Sequence, residues 1–347
     1  MNIYLPNGYL DIKALKSAGM PYIFITGARG TGKTYGELES LITGGKKFIL
    51  MRRTRNEIDF IARNEATNPF AELNRVYKRN IGFEKSGQFY RIVERSLEPD
   101  EKGGYPVIAY IGILLALSTV ANIRGFDGSQ YQELFYDEFI PETHVRAIRD
   151  EHLAFLNAIE TINRNRELTG NPPLQVVCAS NSNRLDNALY MGLNLVGKVD
   201  SMKRKGQLYT ILQDRGILLV NMEQSRISAA KRDTSLYRMA QGTGFASMAL
   251  DNRYIGEQEN NPRIKRQNIA EYKPLVVIGE ICIYKHKSER KYYVSRHISG
   301  SPPKFDMTHA DIAQYKRQYG HIWLDYLAGK VFCEDRLTEL ILTKIYT

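Results

Sequence analysis

The chain of 347 residues is poor in cysteine, in histidine and in long apolar runs. Its three cysteines, Cys178, Cys282 and Cys333, stand far apart with no CxxC pair. Neither a disulfide framework nor a zinc site is expected, and a reducing cytoplasm fits. The six histidines form no HxxxH-type ligand pair, so His144 and His152 read as capping or packing residues. The longest apolar run, Val107 to Val120, is broken by Tyr110, Gly112 and Ser118. The opening MNIYLPNGYLDIK has no basic stretch followed by an apolar one. No membrane span or leader is expected, and the protein reads as soluble. Internal repeats and low-complexity tracts are lacking as well.

What is present is a hydrophobic content of 43%, enough for a substantial core in one large domain or two, of which two are expected. Lys and Arg number 48 against 38 acidic residues, a formal charge of +10. Such an excess suggests a polyanionic partner, nucleic acid first, although a basic balance alone does not decide it.

Residues 22–26 (YIFIT) form a β-rich apolar run ending at a glycine-rich turn, and TYGELESLI after it has helical composition. With KFILMRR (47–53) this begins a β-α-β pattern. Further runs at 107–117, 132–136 and 174–180 are spaced for helical crossovers, so an α/β domain with a mostly parallel central sheet is predicted. FEKSGQFYRIV (83–93) alternates about Ser-Gly as a β-hairpin would. From Lys203 to Arg238 the periodicity fades, with eight basic residues against three acidic, and the stretch reads as a linker. In the tail, PLVVIGEICIYK and KYYVSRHIS alternate as paired strands about HKSER, with helices near 309–319 and 334–345, a small α+β domain. The expected division is 1–205 for the first domain, 206–265 for a linker or lid, and 266–347 for the tail domain.

Gly27-Ala28-Arg29-Gly30-Thr31-Gly32-Lys33-Thr34 is a complete GxxxxGK[ST] loop between a predicted strand and a predicted helix. Its glycines let backbone N–H groups face phosphate oxygens, Lys33 reaches the β and γ phosphates, and Thr34 can ligate Mg²⁺. The cofactors expected are therefore ATP and Mg²⁺. YQELFYDEFI (131–140) is a Walker B element: an apolar strand ending in Asp137, for the metal, and Glu138, for polarising the attacking water. After LQVVCAS, Asn181 within Ser180-Asn181-Ser182-Asn183 is either a γ-phosphate sensor or part of an ordinary polar turn.

In HLAFLNAIETINRNRE, Leu153, Leu156, Ile159 and Ile162 recur every three residues, so a helix burying that face would deliver Arg164 and Arg166 at its end. Either could be an arginine finger acting on a neighbouring subunit, or a cation favoured by the helix dipole. Arg52, Arg53 and Arg55 leave the second strand together, and Arg124 lies in the loop before Walker B; they are candidates for DNA phosphates or solvated charges. Lys285, Lys287, Arg290 and Lys291, among Tyr284, Tyr292 and Tyr293, form a basic aromatic hairpin open to the same two readings.

FITGARGTGKTY (24–35), FILMRRTRNE (48–57), ELFYDEFIPE (133–142), ETINRNRE (160–167), CASNSN (178–183) and MALDNRYIGE (248–257) appear in one order along nearly the whole chain. In this the sequence resembles the DNA-packaging ATPases of small, protein-primed phi29-like podophages, relatives of the large terminases. The resemblance implies an ASCE or RecA-like ATPase that translocates double-stranded DNA into a preformed capsid. It implies a ring of five identical subunits on the portal, or connector, in the cytoplasm of the infected host, joined in some relatives by a structural RNA. It makes Arg164 the trans-acting finger, Arg55 and Arg124 subunit-coupling and DNA positions, and Arg29 a phosphate or neighbour contact. The tail would be similar to the RNase H-like nuclease of terminases without its activity. Glu280, Asp306, Asp311, Asp325, Glu334 and Asp335 do not assemble in sequence into the acidic cluster that two-metal cleavage needs, although the last five could still converge in space, which leaves residual nuclease activity open. Thr34 stands where some relatives carry serine, and the first twenty residues match poorly, leaving the adenine pocket unassigned. Two other readings share these motifs: a helicase-like or recombination ATPase acting on single strands, and a nucleotide-gated assembly scaffold.

Overall fold

The structure is a computed structural model that describes residues 1–123, 127–142, 145, 147–222, 225–243 and 261–346. The chain divides into two compact units, one of residues 1–193 and 205–255, the other of residues 194–204 and 256–347. No helix among the described residues is long and apolar enough to cross a membrane.

The first unit is built on a nine-stranded sheet of β1 (Tyr22–Gly27), β2 (Phe48–Arg52), β3 (Ile81–Ser86), β4 (Phe89–Arg95), β5 (Val107–Ala116), β6 (Glu133–Asp137), β7 (Gln175–Ser180), β8 (Tyr209–Leu212) and β9 (Ile217–Met222). Their order is β3-β4-β5-β2-β6-β7-β1-β9-β8. From β5 to β9 the ladders are parallel, and the hairpins β3–β4 and β8–β9 add antiparallel margins. The helices are α1 (Ile12–Lys16), α2 (Lys33–Thr43), α3 (Arg55–Arg63), α4 (Ala71–Tyr77), α5 (Glu151–Asn163), α6 (Ala188–Gly192), α7 (Val196–Arg204), α8 (Arg226–Lys231) and α9 (Ser235–Met239); α7 belongs to the second unit.

Helices cover both faces of the parallel strands, which is why those strands read as unbroken apolar runs. In β1, Ile23 and Ile25 join the core beneath α1 and α2. Phe24 points the other way, edge-on to Phe139 at 5.8 Å and against Tyr190. The entry to α3 is fixed by a capping box, Thr54 with Glu57.

Three expectations need correction. The stretch expected as linker contains β8 and β9, and every residue of β9 is buried; ILLVNM is a core strand pairing β1, obscured by the basic residues around it. In the tail, PLVVIGEICIYK is not one strand. It turns at Gly279, whose φ of +54° only glycine adopts at ease, into β10 (Tyr272–Ile278) and β11 (Ile281–His286). And Leu153 and Leu156 are 49% and 41% exposed. The face of α5 that is buried runs Glu151, Phe155, Ala158, Ile159, Ile162, the 3.6-residue repeat rather than a strict three.

The second unit carries a five-stranded sheet in which β12 (Tyr292–Ser295), β13 (Lys304–Phe305) and β14 (Val331–Cys333) join β10 and β11, in the order β13-β10-β11-β12-β14. Helices His309–Tyr319 and Arg336–Tyr346 match the expected segments, and His321–Leu327 adds a further helix.

Two largely buried charge clusters anchor the first unit. Arg53, 1% exposed, donates through Nε and Nη2 to both Glu151 oxygens at 2.7 and 2.9 Å, and the Tyr136 hydroxyl donates to Glu151 Oε1 at 3.1 Å. On α1, Lys16 Nζ reaches Glu133 at 2.6 Å and Glu37 at 2.9 Å, the latter at ion-pair distance without hydrogen-bond alignment. Burial pushes the Glu37 carboxyl up from 4.5 to about 7.

Glu151→Ala should lower the unfolding free energy by about 3–5 kcal/mol in equilibrium denaturation, because it strands the buried Arg53 guanidinium. Between its unfolded and folded values Glu37 holds a proton that the unfolded chain has released. Its contribution to stability is thus present at low pH and lost as pH rises to about 7. Glu37→Gln should flatten that decline, read as urea midpoints at about pH 5 and pH 8.

Candidate nucleotide-binding and hydrolysis site

Parallel strands deliver their loops at one edge, and register brings the motif residues together there. Thr26 pairs Ser180 across β1–β7, and Asp137 pairs Ala179 across β6–β7. Because β7 lies between β1 and β6, its end arrives between the phosphate loop and the acidic pair.

The loop leaves β1 through Gly30 and Gly32, at φ +68° and +90°, and enters α2 at Lys33. Gly27 must lack a side chain because a Cβ would meet Met222 Cβ of β9 at 2.4 Å. The N-terminal segment also supports the loop: Leu10 N donates to Thr31 O at 3.1 Å, and Tyr9 lies against Gly32. Sequence reasoning left these residues unassigned, since nothing in them forms a motif. Ala28 and Thr31 are buried, with Thr31 Oγ1 donating to Ala28 O at 3.0 Å. The Lys33 ammonium is buried and folded onto the loop, donating to Ala28 O at 2.7 Å and Gly27 O at 2.9 Å. Burial lowers its pKa to about 8, against the opposing pull of Glu138 and Asp137.

Thr34 Oγ1 donates to Asp137 at 3.1 Å. A hydroxyl beside a carboxylate at the end of a helix-facing strand is a hard oxygen set that suits Mg²⁺, so these two residues fit the expected metal role. Glu138 follows at φ +57°. Its Oε1 accepts from Asn181 Nδ2, and its Oε2 accepts from Asn181 N at 3.3 Å and Ser180 Oγ at 3.4 Å. Burial first, and then the neighbouring Asp137, raises its pKa, which moves a carboxylate toward the range of a useful base.

The arginines separate by position. Arg52 turns into the site, its Nη2 2.7 Å from Asp137 Oδ2. Arg53 is the buried structural cation described above, so it grips no DNA. Arg55 lies at the start of α3, paired with Asp59 at 2.9 Å, bonded to Gln88 O, and set over the Tyr90 ring. Arg29 extends outward to Glu142. Arg166 turns back onto its own chain. It staples backbone, donating to Tyr131 O at 2.8 Å. Arg164 sits half-exposed, 3.8 Å from Asp127, beside the start of β6. The adjoining Asn163 accepts from the N–H of Leu174, just ahead of β7. Arg124 and residues 248–257 lie outside the described residues.

In the second unit, Lys285 is exposed on β11, Lys287 donates to Ala270 O at 2.7 Å, Arg290 pairs with buried Asp325 at 3.0 Å, and Lys291 with Glu289 at 2.5 Å. Glu334 accepts from Ser295 at 2.7 Å, and Asp335 caps Thr338 and pairs with Arg296. Among the described residues no group of three or more His, Cys, Asp or Glu is placed to hold a metal ion.

Comparison with known proteins identifies relatives of this chain. A family model described as Podovirus DNA encapsidation protein (Gp16) matches residues 8–295. The DNA packaging protein of Bacillus phage phi29 is 26% identical over 241 residues, which cover 68% of this chain and 63% of that protein. The DNA packaging protein of Bacillus phage B103 is 24% identical over 241 residues, covering 68% and 65%. The matched region thus spans less than two thirds of these relatives' length. Among solved structures, a chain of the bacteriophage Phi-29 viral genome packaging motor assembly superposes with a TM-score of 0.67 at 19% identity, covering 98% of both chains. One of the Phi-28 gp11 DNA packaging motor gives 0.63 at 21%, covering 97% of both; at such identities the likeness shows the fold. Since the family match takes in most of the sequence, from the N-terminal segment through the P-loop unit and into the tail, this chain belongs to the Podovirus DNA encapsidation protein (Gp16) family.

Proposed function

We propose that the chain is an ATP-hydrolysing motor that drives double-stranded DNA into a preformed capsid, working as a ring of identical subunits, five in number, on the portal. The observation that carries this reading is the convergence of Lys33, Thr34, Asp137 and Glu138 at one sheet edge, with Thr34 3.1 Å from Asp137. The names of the relatives, DNA packaging proteins and a genome packaging motor, supply the direction of the work.

In this reading the loop N–H groups and Lys33 bind the phosphates, while Thr34 and Asp137 hold Mg²⁺, which neutralises phosphate charge. Glu138 takes the proton of the attacking water. Asn181, at the end of β7, both restrains Glu138 and lies where a γ-phosphate would compete for its amide, so a loaded site would release the base. Arg52 beside Asp137 balances the two adjacent carboxylates.

Arg164 supports a division of labour between subunits. It lies by the start of β7, whose six residues separate it from the acidic edge by roughly 16–20 Å at about 3.3 Å each. That is too far for its own phosphates. A finger at this place serves a neighbour. Arg55 and the Lys285–Lys291 hairpin are left as candidates for DNA, portal or packaging-RNA contacts. Nuclease activity is not part of the proposal, because Asp325, Glu334 and Asp335 are each committed to local partners.

The test is packaging into purified procapsids alongside ATP turnover. Glu138→Gln should cut turnover by about 10²–10⁴ and stop packaging while ATP still binds. A mixture of Arg164→Ala and Lys33→Ala subunits should regain part of the turnover that each alone lacks. Stimulation by single-stranded but not duplex DNA would instead favour the helicase-like reading, and packaging undisturbed by Glu138→Gln would favour a scaffold.

A further inference from the structure

A second cation stands over the phosphate loop and belongs to neither nucleotide motif. Lys231, the last residue of α8, donates from Nζ to the Arg29 carbonyl at 2.6 Å. It lies so close above Gly30 that a Cβ there would meet Nζ at 2.3 Å. With Lys33 on the Gly27 and Ala28 carbonyls, two ammonium groups end on three successive carbonyls of one loop. Burial lowers the Lys231 pKa, and its charge is one of those that depress Lys33. Two cations that repel one another across a turn built for phosphate gain most when an anion comes between them.

The placement of Lys231 is supported by packing at the other end of its helix. Ser225 caps α8, accepting from Ile227 N at 3.2 Å. Arg226 and Ile227 pack on Gly8 of the N-terminal segment, the same segment that bonds Thr31 through Leu10. Just ahead of α8, Met222 at the end of β9 lies against Gly27. The helix is therefore seated among parts that already touch the loop.

We propose that Lys231 is a second cationic ligand of the nucleotide's phosphate chain, exchanging the Arg29 carbonyl for a phosphate oxygen when the loop is loaded. This rests on the nucleotide-binding reading above and deepens it. A carbonyl oxygen carries partial charge and a phosphate oxygen nearly a full one, so the exchange favours the bound state. It also ties the position of residues 226–231 to occupancy of the loop, through a contact that spans 202 residues of sequence.

The full chain is titrated calorimetrically with Mg²⁺-ATP and with inorganic tripolyphosphate, which presents phosphates without a base. Lys231→Met should weaken both by about tenfold or more, Lys231→Arg should keep most of the affinity, and the nucleotide-free melting temperature should not change. Lys231→Met binding both probes as wild type does, while Lys33→Ala loses them, overturns the inference and leaves the nucleotide reading standing. A lowered melting temperature with no recovery in Lys231→Arg makes Lys231 a structural staple and overturns it equally. Failure of the wild type to bind either probe overturns both.

Discussion

The contact between Thr34 and Asp137 is the joint on which the first unit turns. It links the first turn of α2 to the end of β6 across an intervening strand, so it exists only if β1, β7 and β6 lie side by side in register. Everything that fixes that register serves the same end: the apolar runs buried on both faces, Phe24 against Phe139, and the Gln175 side chain donating to Met20 O and Pro21 O at 3.0 Å. The chemistry at the sheet edge is thus a consequence of strand order. The inserted strand β7 brings a polar side chain, Asn181, onto the Glu138 carboxylate, where a two-strand neighbourhood would leave none.

Much of this was legible in the sequence, because the signals are local. The loop at 27–34 announces itself by glycine spacing, and the strand ending in Asp137-Glu138 by an apolar run stopped by two acids. What was not legible depends on distant partners. Arg52, Arg53 and Arg55 look alike in sequence, yet strand alternation sends the first to Asp137 and the second into the core to Glu151, 98 residues on. Arg166 and Arg164 are two residues apart, and only the fold tells that one binds carbonyls and the other lies half-exposed beside Asp127. Lys231 carries no motif at all. The β9 strand was hidden by the basic residues that flank it, and the turn at Gly279 by the lack of any residue but glycine and glutamate to mark it.

Two clusters of buried charge among the described residues show how such groups are kept in company. Arg53 has two carboxylate contacts and shares its partner with Tyr136; Lys16 bridges two acids. Such groups add little net stability relative to a well-packed apolar alternative, but a single missing member leaves an uncompensated ion. Both clusters tie a helix to a strand of the central sheet, Arg53 joining the end of β2 to α5, and Lys16 joining α1 to the start of β6 and to α2. They pin the helices that carry Arg164 and the phosphate loop.

Glu138 occupies left-handed backbone, φ +57°, a conformation that costs a residue with a side chain about 1–2 kcal/mol and glycine very little. Under the proposed mechanism, thermal robustness and chemistry therefore pull this position in opposite directions: glycine would relax the chain and remove the carboxylate proposed as the base. A library of variants sorted only for heat resistance would drift toward glycine here, and so away from the carboxylate that the proposed mechanism needs.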